Sequence, residues 1–81
     1  MSWADYDDIW IDPKRMSGAP CLKGTRVPPD AILDNFDSFH EDGLTEEEAE
    51  LATLACFPHV SIERIRNLVE FRNAHEAELY Q

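Results

Sequence analysis

The chain has 81 residues, enough for one small domain and a small core. Its formal charge of -10 and apolar content of 43% point to an acidic folded globule, not a disordered chain or a generally basic nucleic-acid binder. No apolar run approaches the ~20 residues that span a bilayer, and the acidic start MSWADYDD lacks the order of a signal peptide, so a cytoplasmic protein is expected.

Taken in chain order, DDIWID alternates Ile9 and Ile11 against Trp10, the period of a short strand. CLKGTRV has the same period, with Leu22 opposite in phase to Cys21, Lys23, Thr25 and Val27. Turn chemistry lies between them, so a β-hairpin is expected over about residues 8–28. Gly18 closes a turn, and Gly24 relieves crowding in or beside the second strand. Pro28 and Pro29 end that strand and suit the first turn of a helix, where a missing N–H is harmless.

Three helices are expected, over about 29–42, 45–57 and 61–76. Ile32, Leu33, Phe36 and Phe39 recur at helical spacing in the first, and Gly43 stops it. The second opens on a capping box of Thr45 and Glu48, with Leu44 stapled to Ala49 and with Ala52, Leu54, Ala55 and Phe57 packing. Ser61 caps the third, which buries Ile62, Ile65, Leu68 and Val69. The expected core is Ile32, Phe36, Leu51, Leu54, Ile62, Ile65 and Leu68. The fold class is mainly α: an N-terminal β-hairpin followed by a three-helix, homeodomain-like helix-turn-helix bundle, in a single domain spanning 1–81.

Charge is segregated. Residues 9–29 carry Lys14, Arg15, Lys23 and Arg26 against Asp12 alone, while residues 34–50 hold eight acids and no base. The basic end can meet an anion, and the acidic middle attracts a basic protein. On the third helix Glu63, Arg66, Asn67 and Glu70 fall on the outward face at about 100° per residue. Arg66 and Asn67 are residue types that read guanine and adenine edges. The candidate DNA contacts are Lys14, Arg15, Lys23, Arg26, Arg66 and Asn67; the candidate partner contacts are Glu46, Glu47 and Glu50. Arg26 is open to two roles, an ion pair to Asp12 or Asp30 or a phosphate contact.

Catalysis finds no support. Ser38 and His40 lie at a polar helix end without an oxyanion loop, and the carboxylates are exposed by pattern. Cys21 and Cys56 have no CxxC partner, and His40, His59 and His75 stand at no ligand spacing to them, so no metal or cofactor is expected and both thiols read as buried and reduced. A small core, and an apolar excess at Trp3, Tyr6, Ile9, Trp10 and Ile11, predict a homodimer.

Gly18, Pro20, Leu22, Gly24, Thr25, Arg26 and Val27, followed in order by Phe57, Pro58, His59 and Ile65, form a pattern that resembles the domain-of-unknown-function family four hundred and thirty-three, over roughly residues 9–71. The chain departs from that pattern in a longer, more acidic segment between the first two helices. The resemblance implies a small helix-turn-helix protein, similar to VapB-type antitoxins that bind and silence a PIN-domain ribonuclease. It therefore implies an antitoxin-like protein that inhibits a toxin ribonuclease, with repression of its own promoter as the accompanying expectation. An acidic protein-interaction module without nucleic-acid contact, and a stand-alone transcriptional regulator, remain the other readings of the residues.

Overall fold

The computed structural model describes residues 6–11 and 19–79. Its elements are β1 (Ile9–Trp10), β2 (Cys21–Leu22), α1 (Pro29–Glu41), α2 (Glu46–Cys56) and α3 (Ile62–Leu79). The order is the expected one, an N-terminal hairpin followed by three helices. β1 and β2 pair antiparallel with Ile9 opposite Leu22 and Trp10 opposite Cys21. Lys14 and Arg15, expected as basic contacts, and Gly18, expected in a turn, lie outside the described residues, as does Trp3.

The second strand is much shorter than CLKGTRV suggested, because that segment folds back on itself. Gly24 takes φ +77°, a left-handed conformation with no crowding at its Cβ position, so conformational freedom and not space is what the site needs. With the chain turned there, Leu22 N–H donates to the Val27 carbonyl at 2.9 Å and Thr25 N–H to the Leu22 carbonyl at 3.0 Å. The Thr25 hydroxyl donates to that same carbonyl at 2.9 Å and accepts from Val27 N–H at 3.0 Å. The result is a closed loop of residues 22–27. Cys21 and Leu22 are both buried, which strict alternation along a strand does not allow.

Pro28 occupies the N-cap of α1 and Pro29 its first turn. Gly43, at φ +103°, turns the chain out of α1, and Leu44 N–H then reaches the Phe39 carbonyl at 3.3 Å. The capping box of α2 is present in both directions: Thr45 N–H donates to Glu48 Oε1 at 3.0 Å and Glu48 N–H to Thr45 Oγ1 at 3.2 Å. Ser61 Oγ accepts from Arg64 N–H at 3.3 Å at the start of α3. Helical geometry breaks once in α3, at His75.

The core draws Ile9 and Leu22 from the hairpin, Ile32, Leu33 and Phe36 from α1, Ala49 from α2, and Ile65, Leu68 and Val69 from α3. Val60, in the turn between α2 and α3, is fully buried and anchors that turn. On α2 the packing expectation holds for Leu54 and Phe57, which pack half-buried against the core, but not for Leu51 or Ala55. The buried face of α2 is Ala49, Glu50 and Thr53, and Leu51 is 55% exposed. Ala55 is exposed, and Leu54 and Ile62 are half-buried rather than central. Small side chains carry the contact here, and Thr53 satisfies its hydroxyl by donating to the Ala49 carbonyl at 2.7 Å, so a polar residue occupies the core at no hydrogen-bond deficit. Cys56 is exposed rather than buried, while Cys21 is buried; both are free thiols.

Among the described residues of the N-terminal apolar group, one is buried and two are half-buried. Ile9 is core, and Tyr6 packs on Phe71 with ring centroids 4.5 Å apart. Burial, followed by the nearby Asp8 carboxylate, raises the Tyr6 pKa. Of that group only Ile11 stands out among the described residues as a large exposed apolar side chain.

Candidate partner-binding groove

The three arginines of α3 are each held by a carboxylate. Arg64 Nε and Nη2 donate to the two Asp8 carboxylate oxygens at 2.7 and 2.9 Å, and Nη2 also donates to the Lys23 carbonyl at 2.9 Å. That side chain fastens the hairpin and its loop to the first turn of α3. Arg72, almost fully buried, donates through Nη1 and Nη2 to both Asp37 oxygens at 2.8 Å and so ties α3 to α1. Arg66 meets Glu50 on α2 at 3.3–3.4 Å, the longest of the three pairs. Glu50 raises the Arg66 pKa, first through the hydrogen bond and then through its charge.

These pairs change the reading of the outward face of α3. Arg66 and Asn67 are exposed, but Arg66 does not stand alone over solvent; it leans across to α2. There it lines a groove of about 470 Å³. Glu46, Glu47 and Glu50 form the α2 wall, Glu70 and Asn73 join Arg66 on α3, and the buried Val69 lies beneath. The capping box sets this wall: by fixing the first turn of α2, it places Glu46 and Glu47 beside the middle of α3. The three acids the sequence offered as partner contacts are thus brought together, with Glu50 buried against Arg66 and Glu46 and Glu47 exposed at the rim.

The basic candidates divide. Lys23 and Arg26 are both exposed on the closed loop 22–27. Asp12, one of the two acids considered for Arg26, lies outside the described residues. Sequence reasoning missed Arg64 and Arg72 altogether. Their partners lie 56 and 35 positions away, and no local pattern marks a pair at such separations.

The chain is also similar to a known family. The sequence profile described as "Protein of unknown function (DUF433)" matches residues 9–71. The chain belongs to that family. The DUF433 match runs from β1 through the middle of α3 and so includes the closed loop and both walls of the groove as far as Glu70. No curated protein and no solved structure matches the chain. Among the described residues no helix is long and apolar enough to cross a membrane.

Proposed function

We propose that this protein is the antitoxin-like half of a toxin–antitoxin pair, and that it docks a basic ribonuclease through the groove between α2 and α3. One observation supports this above the others. Four carboxylates line the groove against a single guanidinium, and Glu50 already holds that guanidinium. A cationic side chain entering the groove meets Glu46, Glu47 and Glu70, with Val69 the apolar residue of the lining, a combination that attracts positive charge. Ribonucleases bind a polyanion and so present basic surface, and a protein covering that surface inhibits without catalysing anything. The PIN-domain identity of the partner, the cytoplasmic setting and the absence of an enzymatic role belong to this same reading.

The test is co-expression with the product of the adjacent reading frame, followed by titration calorimetry and an RNA-cleavage assay. The parent is expected to form a stoichiometric complex and suppress cleavage, and Glu46→Lys combined with Glu47→Lys to lose both. A charge-reversed chain that inhibits as well as the parent overturns the groove as the docking site.

A second reading, contact with promoter DNA, is favoured by a different observation. Lys23 and Arg26 are exposed on a loop closed by its own hydrogen bonds, whereas Arg64, Arg66 and Arg72 are engaged with carboxylates. In this reading repression runs through the loop rather than through the outward face of α3.

A further inference from the structure

The loop and the groove carry opposite charges, and α3 keeps them apart. Arg64 fastens the loop to one side of α3 through Asp8 and the Lys23 carbonyl. The groove residues Arg66, Val69, Glu70 and Asn73 follow two, five, six and nine positions later. At about 100° per residue they fall roughly 140–240° around the helix from Arg64. They therefore occupy the opposite face. Lys23 and Arg26 cannot turn into the groove of their own chain while Arg64 holds the loop.

We infer that the basic loop of one copy docks in the acidic groove of a second copy. The loop brings two exposed cations, and the groove offers a net of three negative charges around Val69. The loop is pre-organised: the Leu22–Val27, Thr25–Leu22 and Lys23–Asp8 backbone bonds fix it before contact, so little ordering cost falls on association. The groove volume of about 470 Å³ lies within the ~300–1,000 Å³ of sites that enclose whole small molecules, enough for more than one side-chain end. Each copy carries a charge of -10, so two copies repel at long range. At about 0.15 M salt that repulsion is screened beyond roughly 8 Å, and the contacting charges decide the outcome.

Because loop and groove lie on opposite faces of α3, the contact is heterologous: a dimer made this way leaves one loop and one groove open. Mass therefore rises with concentration beyond the dimer instead of stopping there. This inference does not rest on the ribonuclease or the promoter reading; it concerns the chain by itself, and the same groove is then already occupied when a basic partner arrives.

The experiment is sedimentation analysis of the purified chain at about 0.15 M salt, with circular dichroism as the fold check. The parent is expected to increase in weight-average mass across the micromolar to millimolar range. K23E/R26E places an acidic loop against an acidic groove, and E46K/E47K places a basic loop against a groove whose sign is reversed. Each variant alone is expected to stay monomeric. An equimolar mixture is expected to associate again, because the intact loop of the second meets the intact groove of the first. Where a reversed variant fails to fold, the neutral K23S/R26S and E46Q/E47Q chains replace it, with weakened self-association alone and a 1:1 complex recovered when mixed. A parent that stays monomeric, a single variant that associates like the parent, or a mixture that stays monomeric overturns the inference.

Discussion

Arg72 on α3 grips Asp37 on α1 with two parallel hydrogen bonds of 2.8 Å, and its Nε donates to Asn73 Oδ1 at 2.9 Å. The guanidinium is buried, but the Asp37 side chain is 42% exposed. Removing the acid leaves a charge stranded in the interior, which costs about 3–5 kcal/mol when both partners are buried and less where water reaches the site. Asp37→Ala is expected to cost about 1–3 kcal/mol in urea unfolding. Arg72→Met with Asp37→Leu, which removes both charges and keeps apolar volume, is expected to recover most of that loss. A double variant as unstable as the two single losses summed would show that the pair does not act as a unit.

Arg64 is expected to matter through the hairpin. Arg64→Ala and Asp8→Ala each break the same two charged hydrogen bonds, so each is expected to cost about 1–3 kcal/mol and the pair together little more than either alone. Amide exchange at Lys23 reports the local effect, because Lys23 N–H donates to the Asp8 carbonyl at 2.8 Å beside the tether. Unchanged protection of that amide in Arg64→Ala contradicts the tether.

The capping box gives a prediction in pH. The Thr45 backbone N–H, and after it the Thr45 side chain, hold the Glu48 carboxyl below its usual pKa. A carboxyl whose folded pKa is depressed stabilises the fold above its unfolded value, about 4.3 for Glu, and loses that contribution as pH falls through the depressed value. The stability gap between the parent and Glu48→Gln is therefore expected to be constant near neutrality and to shrink on acidification. A gap that widens toward acid has the wrong sign. Thr45→Ala, which removes the other half of the box, is expected to cost about 0.5–2 kcal/mol.

Leu51 separates the fold seen here from the one expected. Leu51→Ala is expected to change stability by less than about 0.5 kcal/mol, as an exposed substitution does. Leu22→Ala and Ile65→Ala, both fully buried, are expected to cost about 2–5 kcal/mol. Equal losses at Leu51 and Ile65 would return α2 to the phase its apolar residues suggest.

That contrast shows what the sequence carries and what it does not. Local rules were legible: Thr45 and Glu48, Pro28 and Pro29, Gly43 and Ser61 mark helix ends by chemistry acting over one to four residues. Periodicity also placed the apolar faces of α1 and α3, where Ile32, Phe36, Ile65 and Leu68 are large and regularly spaced. It failed in part on α2 because the buried face there is built from Ala49 and Thr53, which carry no strong apolar signal, while Leu51 does. It failed on residues 22–27 because a turn closed by Gly24 and the Thr25 hydroxyl interrupts an alternating pattern without altering it. The groove was half legible. Its acids stood out as a run, but that Arg66 crosses to Glu50 rather than facing a duplex depends on how α2 and α3 pack.

Lys23 and Arg26 on the loop and Arg66 in the groove offer DNA two different surfaces. Promoter binding, tested at several salt concentrations, is expected to run through Lys23 and Arg26 rather than through Arg66. Lys23 and Arg26 are exposed and project from a fixed loop, whereas Arg66 stands beside Glu46, Glu47, Glu50 and Glu70, whose carboxylates repel a phosphate brought to it. Each lost phosphate contact lowers the slope of log K against log salt by about 0.9. Replacing Lys23 and Arg26 with alanine is thus expected to reduce the slope by nearly two per chain, and Arg66→Ala to leave it unchanged or to shift affinity without changing the slope. The reverse pattern returns DNA recognition to the outward face of α3. A parent that binds no promoter DNA at low salt removes repression from the function while leaving the groove and its protein partner as they stand.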